Sequence, residues 1–161
     1  MARKIAQSPE DFLKPAELVS MSGLEFMQRM ARGEIAGPPI AGQLGYELSS
    51  VEQGRVVFTG APAFEFCNPM GGVHGGWYGT LLDSCMACAV MTMVPKGSYY
   101  TTLEYKVNIT RALPVGTQIE AIGLIQHGGR STGVAHGEIR GLDDGKLYAT
   151  GSTTCMIMKA G

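Results

Sequence analysis

The sequence has no excess of charge of either sign. Its 161 residues include 13 Lys and Arg and 14 Asp and Glu, so the formal net charge is −1. A nucleic-acid-binding domain usually carries a basic face, and we therefore expect no nucleic-acid partner. No segment approaches the roughly 18 uninterrupted apolar residues that a membrane-spanning helix requires, so we expect no membrane partner.

Cysteine is also scarce, with four residues at the irregular positions 67, 85, 88 and 155. An exported disulfide scaffold would be shorter and denser in cysteine. The first 18 residues lack the apolar segment of a secretory signal peptide. We therefore expect a reduced, cytoplasmic protein. Cys85 and Cys88 have the spacing of a redox or zinc pair, but no second pair stands nearby, and they lie within a Met- and Ala-rich run. We predict core cysteines and no metal site.

What the chain does contain is a short helix signal followed by strand signals. Residues 1–20 show no clear period and predict a loosely held N-terminal arm, and residues 21–161 predict one domain. Ser22 is a plausible cap for an amphipathic helix that ends near Gly33. Strand patterns follow at residues 43–51, 55–62, 99–110, 117–128, 131–142 and 146–158. Turn signals separate the last four patterns, which predict an antiparallel meander.

Between the second and third strand patterns, residues 75–93 form a long apolar run without proline, rich in Ala, Leu and Met. The length and composition predict a helix that is apolar on most sides. One such helix beside six antiparallel strands implies an α+β fold, in which a curved sheet wraps around the helix. Asp83 lies inside this apolar run, where a lone carboxylate costs stability unless something uses or satisfies it.

The residues that open this helix form a spaced pattern: Asn68, Gly71, then His-Gly-Gly at 74–76, then Leu-Leu-Asp ending at Asp83. The pattern resembles the signature of the PaaI-like acyl-CoA thioesterases, hotdog-fold members of the 4-hydroxybenzoyl-CoA thioesterase superfamily. The resemblance covers roughly residues 22–158. It departs at residues 111–114, Arg-Ala-Leu-Pro, where many relatives have Arg-Pro directly. It implies hydrolysis of acyl-CoA or aryl-CoA thioesters, with coenzyme A as part of the substrate and no other cofactor.

Thioester hydrolysis needs a donor for the oxyanion and an activated water or a nucleophile. The resemblance gives the first role to Gly75, at a helix N-terminus whose free N–H groups and dipole favour negative charge. The alternative is a turn or cap glycine. Asp83 takes the second role, either as nucleophile or as general base, and both remain open. An apolar surround would raise the pKa of this carboxyl.

The spacing of these two residues predicts a shared site. Eight residues separate Gly75 from Asp83, which is about 12 Å along a helix. The oxyanion donor of one subunit should therefore serve the aspartate of another, across a two-fold interface. Gly76, Gly79 and Ala87 line a small-residue stripe with Asp83 and favour close approach. We expect a homodimer, and a dimer of dimers as the larger assembly.

Further site residues follow from the resemblance. Asn68 matches an amide that orients substrate or water, although Asn-Pro also starts turns. Thr102 matches a hydroxyl that positions the attacking water. His74 matches a residue that mainly braces the loop, and with Gly76 it is expected to contact substrate. Arg130 and Arg111 are the candidates for holding the CoA phosphates, unless they are solvated turn residues.

Two other functions remain possible on the same fold. A hotdog dehydratase or hydratase uses a His together with an acid, and His74 keeps that reading open. A non-catalytic acyl-CoA sensor is the other alternative. The complete set of Asn68, Gly75, Asp83 and Thr102 argues against the sensor, because a sensor has no need of the acid.

Overall fold

The computed structural model describes residues 4–161, and residues 1–3 of the predicted arm lie outside the described residues. One long helix, α4 (Gly75–Met91), packs against a single six-stranded antiparallel sheet. The strands are β1 (Tyr46–Glu52), β2 (Arg55–Gly60), β3 (Ser98–Ile109), β4 (Ile119–Gly128), β5 (Thr132–Gly141) and β6 (Leu147–Lys159). Their order in the sheet is β1-β2-β4-β5-β6-β3. The predicted α+β architecture is confirmed.

Helix α4 forms the centre of the core because it is apolar around most of its circumference. Eleven of its 17 residues are buried. The sheet approaches it closely at glycines: a Cβ at Gly123 would overlap the Cys85 carbonyl oxygen, and one at Gly133 would overlap the Val90 side chain. Any larger residue at these positions would push the sheet away from the helix.

The meander prediction holds for β4, β5 and β6 but is wrong for β3. Strand β3 pairs with β6, with Thr102 opposite Cys155, and lies at the sheet edge, while β2 takes the place beside β4. The segment that connects β3 to β4 is too long for a tight hairpin, and it contacts α4 instead. Within it, the Leu113 N–H donates to the Tyr78 hydroxyl at 2.9 Å. Because β3 is the last strand in the sheet order, one of its edges is unpaired within the described chain.

Three short helices precede or flank the first strand: α1 (Pro15–Leu18), α2 (Gly23–Ala31) and α3 (Pro39–Gln43). The predicted cap of α2 is confirmed, since the Ser22 hydroxyl accepts the Glu25 N–H at 3.2 Å. Helix α3 was missed. Its prolines suggest a chain break, but proline is well tolerated in the first turn of a helix.

The described part of the N-terminal arm packs against the domain, whereas the sequence predicted a loosely held segment. The Ala6 N–H donates to the Gly37 carbonyl at 3.0 Å, and the Gly37 N–H donates to the Lys4 carbonyl at 2.8 Å. Ala6 is buried. The boundary between arm and domain at residue 20 stays a prediction. Within residues 4–161, no helix has the length and apolarity needed to cross a membrane.

Candidate active site

Asp83 lies in the middle of α4, half-buried, with its carboxylate held from β3. Its Oδ1 accepts a hydrogen bond from the Thr102 hydroxyl at 3.1 Å. Thr102 can reach it because its side chain is on the inward face of β3, whereas neighbouring Thr101 is exposed on the other face. Burial raises the pKa of the Asp83 carboxyl above its ordinary value, and the Thr102 hydrogen bond works against that rise. The carboxylate is consequently a stronger base than a solvated one.

The neighbours of Asp83 are neutral groups from three elements: Cys88 on α4, Tyr100 on β3 and Cys155 on β6. Burial raises the pKa of the Cys88 thiol to about 12 and that of the Tyr100 hydroxyl well above its ordinary value, with the Asp83 charge adding to both shifts. These groups stay protonated at neutral pH, so Asp83 supplies the negative charge. Sequence patterns did not indicate Tyr100 and Cys155, because the packing of β3 on α4 and the pairing of β6 with β3 bring them here.

The N-terminus of α4 presents an exposed backbone amide. His74 is its N-cap: the His74 Nδ1 accepts the Gly76 N–H at 2.9 Å, and the His74 carbonyl accepts the Trp77 N–H at 3.0 Å. The Gly75 N–H makes no hydrogen bond to any residue in the described range, and Gly75 is exposed. An unpartnered N–H at the positive end of a 17-residue helix has the geometry of an anion or oxyanion donor.

The loop before α4 is organised by the side chain of Asn68. Its Oδ1 accepts the Met70 N–H at 2.9 Å and the Gly72 N–H at 3.2 Å. Gly71 completes the turn with a φ of 82°, a conformation that favours glycine. Asn68 therefore does stabilise a turn, as the alternative interpretation expected, but only its side-chain oxygen takes part. The Nδ2 group is left without a hydrogen bond inside residues 4–161 and has donors to offer.

The two halves of the predicted site do not meet within one chain. Gly75 and Asp83 share one regular helix and are more than two turns apart. Of the two arginine candidates, Arg111 follows β3 near the start of α4, where Ile109 would contact a Cβ at Gly75 at 3.6 Å. Arg130 lies in the turn between β4 and β5, near the other end of α4, where Gly133 packs against Val90. Both side chains are exposed.

The surface beside the free amide is apolar and lies along the unpaired edge of β3. Tyr105 and Ile109 stand opposite the inward-facing Thr153 and Ala149, yet they are 46% and 48% exposed. The small-residue stripe of α4 is only partly open, because Tyr105 covers Gly79, approaching a Cβ position there to within 3.4 Å. A partner can therefore approach along β3 and the first turn of α4, and less closely at Gly79 than the sequence suggested.

Across residues 4–161, no three His, Cys, Asp or Glu side chains come together in a group that could hold a metal ion. The four cysteines are all free, and Cys85 is fully buried in the core.

Comparison with known proteins identifies the family. The model of the thioesterase superfamily matches residues 70–148. A putative thioesterase from Ralstonia eutropha, described as phenylacetic acid degradation-related, is 32% identical, with a TM-score of 0.74 over 81% of this chain and 98% of that one. A variant of the phenylacetic acid degradation protein PaaI from Thermus thermophilus is 26% identical, with a TM-score of 0.67 over 73% and 97% of the two chains. A search of curated proteins gives no significant match.

The fold is the hotdog fold of thioesterases, also seen in a thioesterase family protein from Silicibacter pomeroyi at 24% identity and a TM-score of 0.74. The chain belongs to the thioesterase superfamily, and PaaI-like proteins are among its structural neighbours. The family resemblance carried by the Asn68 to Asp83 pattern is thus confirmed. Thioester hydrolysis is the activity that this membership supports.

Proposed function

We propose that this protein hydrolyses acyl-CoA or aryl-CoA thioesters to the free acid and coenzyme A, as a cytoplasmic homodimer or dimer of dimers. The observation that carries the proposal is the division of α4 between a free amide at Gly75 and a half-buried carboxylate at Asp83. A thioesterase needs these two groups, one to stabilise the oxyanion and one to activate or deliver the nucleophile.

The chemistry can follow either of two courses. As a general base, Asp83 takes a proton from a water molecule that attacks the thioester carbonyl. As a nucleophile, Asp83 attacks the carbonyl itself, and water then hydrolyses the mixed anhydride. In both, the Gly75 N–H donates to the oxyanion, the C–S bond breaks, and the CoA thiolate leaves and is protonated. The raised pKa of Asp83 suits a base working near neutral pH.

A complete site requires two subunits, because one helix cannot bring Gly75 and Asp83 to the same carbonyl. The unpaired edge of β3 supports this assembly. It is a strand of 12 residues with exposed apolar side chains at Leu103, Tyr105 and Ile109. A long apolar edge invites pairing with another chain.

In the proposed dimer, the subunit that supplies the Gly75 N–H also supplies Asn68 and His74 near the thioester, with Gly76 fixing the His74 ring. The other subunit supplies Asp83 and Thr102. Arg111 and Arg130 are the proposed partners of the CoA phosphates. Coenzyme A is part of the substrate, and the proposal includes no other cofactor.

The decisive experiment follows free CoA with a thiol reagent across a panel of acyl-CoA and aryl-CoA esters. We expect Asp83→Asn to lower kcat on the order of 10³-fold, within the range for loss of a general acid or base. Asp143→Asn is the matched control, since Asp143 lies in an exposed turn and should keep wild-type rates. Wild-type turnover by Asp83→Asn would remove Asp83 from the mechanism. Tight binding of acyl-CoA by the wild type without CoA release would favour the sensor.

A further inference from the structure

Beside Asp83 lies an apolar cavity of about 360 Å³. Helix α4 contributes Ser84 and Cys88 to its wall, and β3 contributes Tyr100. The N-terminal segment covers the cavity with Phe12, Leu13 and Leu18. The volume is at the lower end of the range for small-molecule pockets.

Both α4 and β3 bring the wall of the cavity next to Asp83. Ser84 directly follows Asp83 along α4. Tyr100 precedes Thr102 by two residues on β3, so both side chains are on the same face of that strand. The Asp83 charge also contributes to the raised pKa values of Cys88 and Tyr100, which is consistent with their proximity. A group bound in the cavity would therefore lie next to the carboxylate.

The lining excludes charge. No Asp, Glu, Lys, Arg or His of residues 4–161 lines the cavity. Its Ser84 hydroxyl is already hydrogen-bonded to the Tyr46 hydroxyl at 2.9 Å. A carboxylate placed in this cavity would lose its hydration without gaining a counter-charge, which is strongly unfavourable.

We propose that this cavity binds the acyl part of the substrate, and that it selects uncharged apolar acyl groups larger than acetyl. The inference rests on the proposed thioesterase function and assigns its substrate class. The N-terminal segment then acts in specificity, since Leu13 and Leu18 line the cavity together with residues of α4 and β3.

Met30 sets the far end of the cavity. A second cavity, of about 480 Å³, lies beyond it and is lined by the first described residues with β1 and β2. Met30, Pro38 and Phe58 line both cavities and so separate them. Met30 is the flexible, half-buried member of this partition. Shortening it should join the two spaces and admit longer chains.

The first measurement compares kcat/KM for butyryl-CoA and succinyl-CoA, which have acyl groups of four carbons and differ in a terminal carboxylate. We expect butyryl-CoA to be preferred by at least about tenfold. A series from acetyl-CoA to dodecanoyl-CoA, with benzoyl-CoA and phenylacetyl-CoA, then separates straight chains from rings. Equal use of succinyl-CoA and butyryl-CoA would overturn the proposal.

Substitutions in the wall of the cavity test whether the acyl group binds there. Met30→Ala should move the preferred chain length upward. Leu24→Ala on the same helix, which lines neither cavity, should leave it unchanged. Leu13→Trp should lower kcat/KM for the longer esters while sparing acetyl-CoA. An unchanged profile in both Met30→Ala and Leu13→Trp would place the acyl group elsewhere.

Calorimetric binding of the same esters to the Asp83→Asn background separates this inference from the proposed function. If the wild type releases no CoA but Met30→Ala shifts the length preference for binding, the pocket stands and the hydrolase proposal fails. If hydrolysis occurs and neither binding nor rate depends on Met30 or Leu13, the pocket proposal fails and the hydrolase stands.

Discussion

The start and the middle of α4 carry two functional groups in opposite environments. At the start, Gly75 is exposed and offers only its backbone N–H, with no side chain and no partner in the described chain. In the middle, Asp83 is half-buried, and its side chain is held by Thr102 from a strand 19 residues away. The Gly75 N–H is exposed and depends only on the local geometry of the helix, whereas the environment of the Asp83 carboxyl depends on the packed domain around it.

This difference shows how the two groups acquire their properties. A free amide at a helix N-terminus follows from helix geometry alone and needs only a cap that leaves one N–H unused. A carboxyl with a raised pKa needs burial, and burial needs the sheet. The helix start should therefore be sensitive to backbone chemistry, and the middle to side-chain chemistry and pH.

After the loss of the acid itself, the largest effect is expected from removing the amide hydrogen at residue 75. Gly75→Pro removes it with little strain, since proline suits the first helical position and His74 already has a ψ of 138°. We expect kcat to fall by about 10² to 10³, as for loss of one oxyanion donor. Gly75→Ala keeps the N–H and is the control. If Gly75→Pro and Gly75→Ala had similar kcat values, the Gly75 N–H would not be the oxyanion donor.

The next test asks whether the two regions act across subunits. Mixing equal amounts of unfolded Gly75→Pro and Asp83→Asn chains and refolding them together should give mixed dimers with one intact site. The recovered activity should be about one quarter of wild type if subunits pair at random in a two-fold dimer. Each variant refolded alone is the control. No recovery, with mixed dimers demonstrated by mass, would mean that the site lies within one chain.

A smaller effect is expected at Thr102. Thr102→Val removes the hydroxyl that donates to the ionised form of Asp83. The pKa of the carboxyl should rise further, so activity should begin to fall at a higher pH as the solution is acidified. We expect a rate loss of about tenfold, typical for a hydrogen bond to a charged group. Thr101→Val, on the exposed face, is the matched control. An unshifted pH profile would show that the hydroxyl does not tune Asp83.

The smallest effect is on stability. Burial raises the pKa of Asp83 in the folded state, so the folded protein binds this proton more tightly than the unfolded chain. Stability is therefore lost as the pH rises through the raised pKa. Asp83→Asn should melt a few degrees higher than wild type at neutral pH, and the gain should vanish in acid, where both states are protonated. A melting temperature of Asp83→Asn below that of wild type at neutral pH would contradict the predicted direction of the effect.

Several parts of the molecule were predictable from local patterns. The start of α4 at Gly75, the cap at Ser22 and the strand segments follow from periodicity, turn residues and capping chemistry, all of which act over a few residues. The edge position of β3 was not predictable in this way. It depends on which strand pairs with β6, a choice made between segments about 50 residues apart.

The sequence by itself determined the helix, the glycine at its start, the acid in its middle and the distance between them. Those follow from helix geometry, and under the proposed function they imply a site shared by two chains. Only the tertiary structure decided what surrounds the acid. The packing of the paired strands β3 and β6 on α4 places Thr102, Tyr100 and Cys155 around Asp83, and the packing of the N-terminal segment closes a cavity beside it. Burial and the pKa it shifts are properties of non-local packing, which no short window of sequence contains.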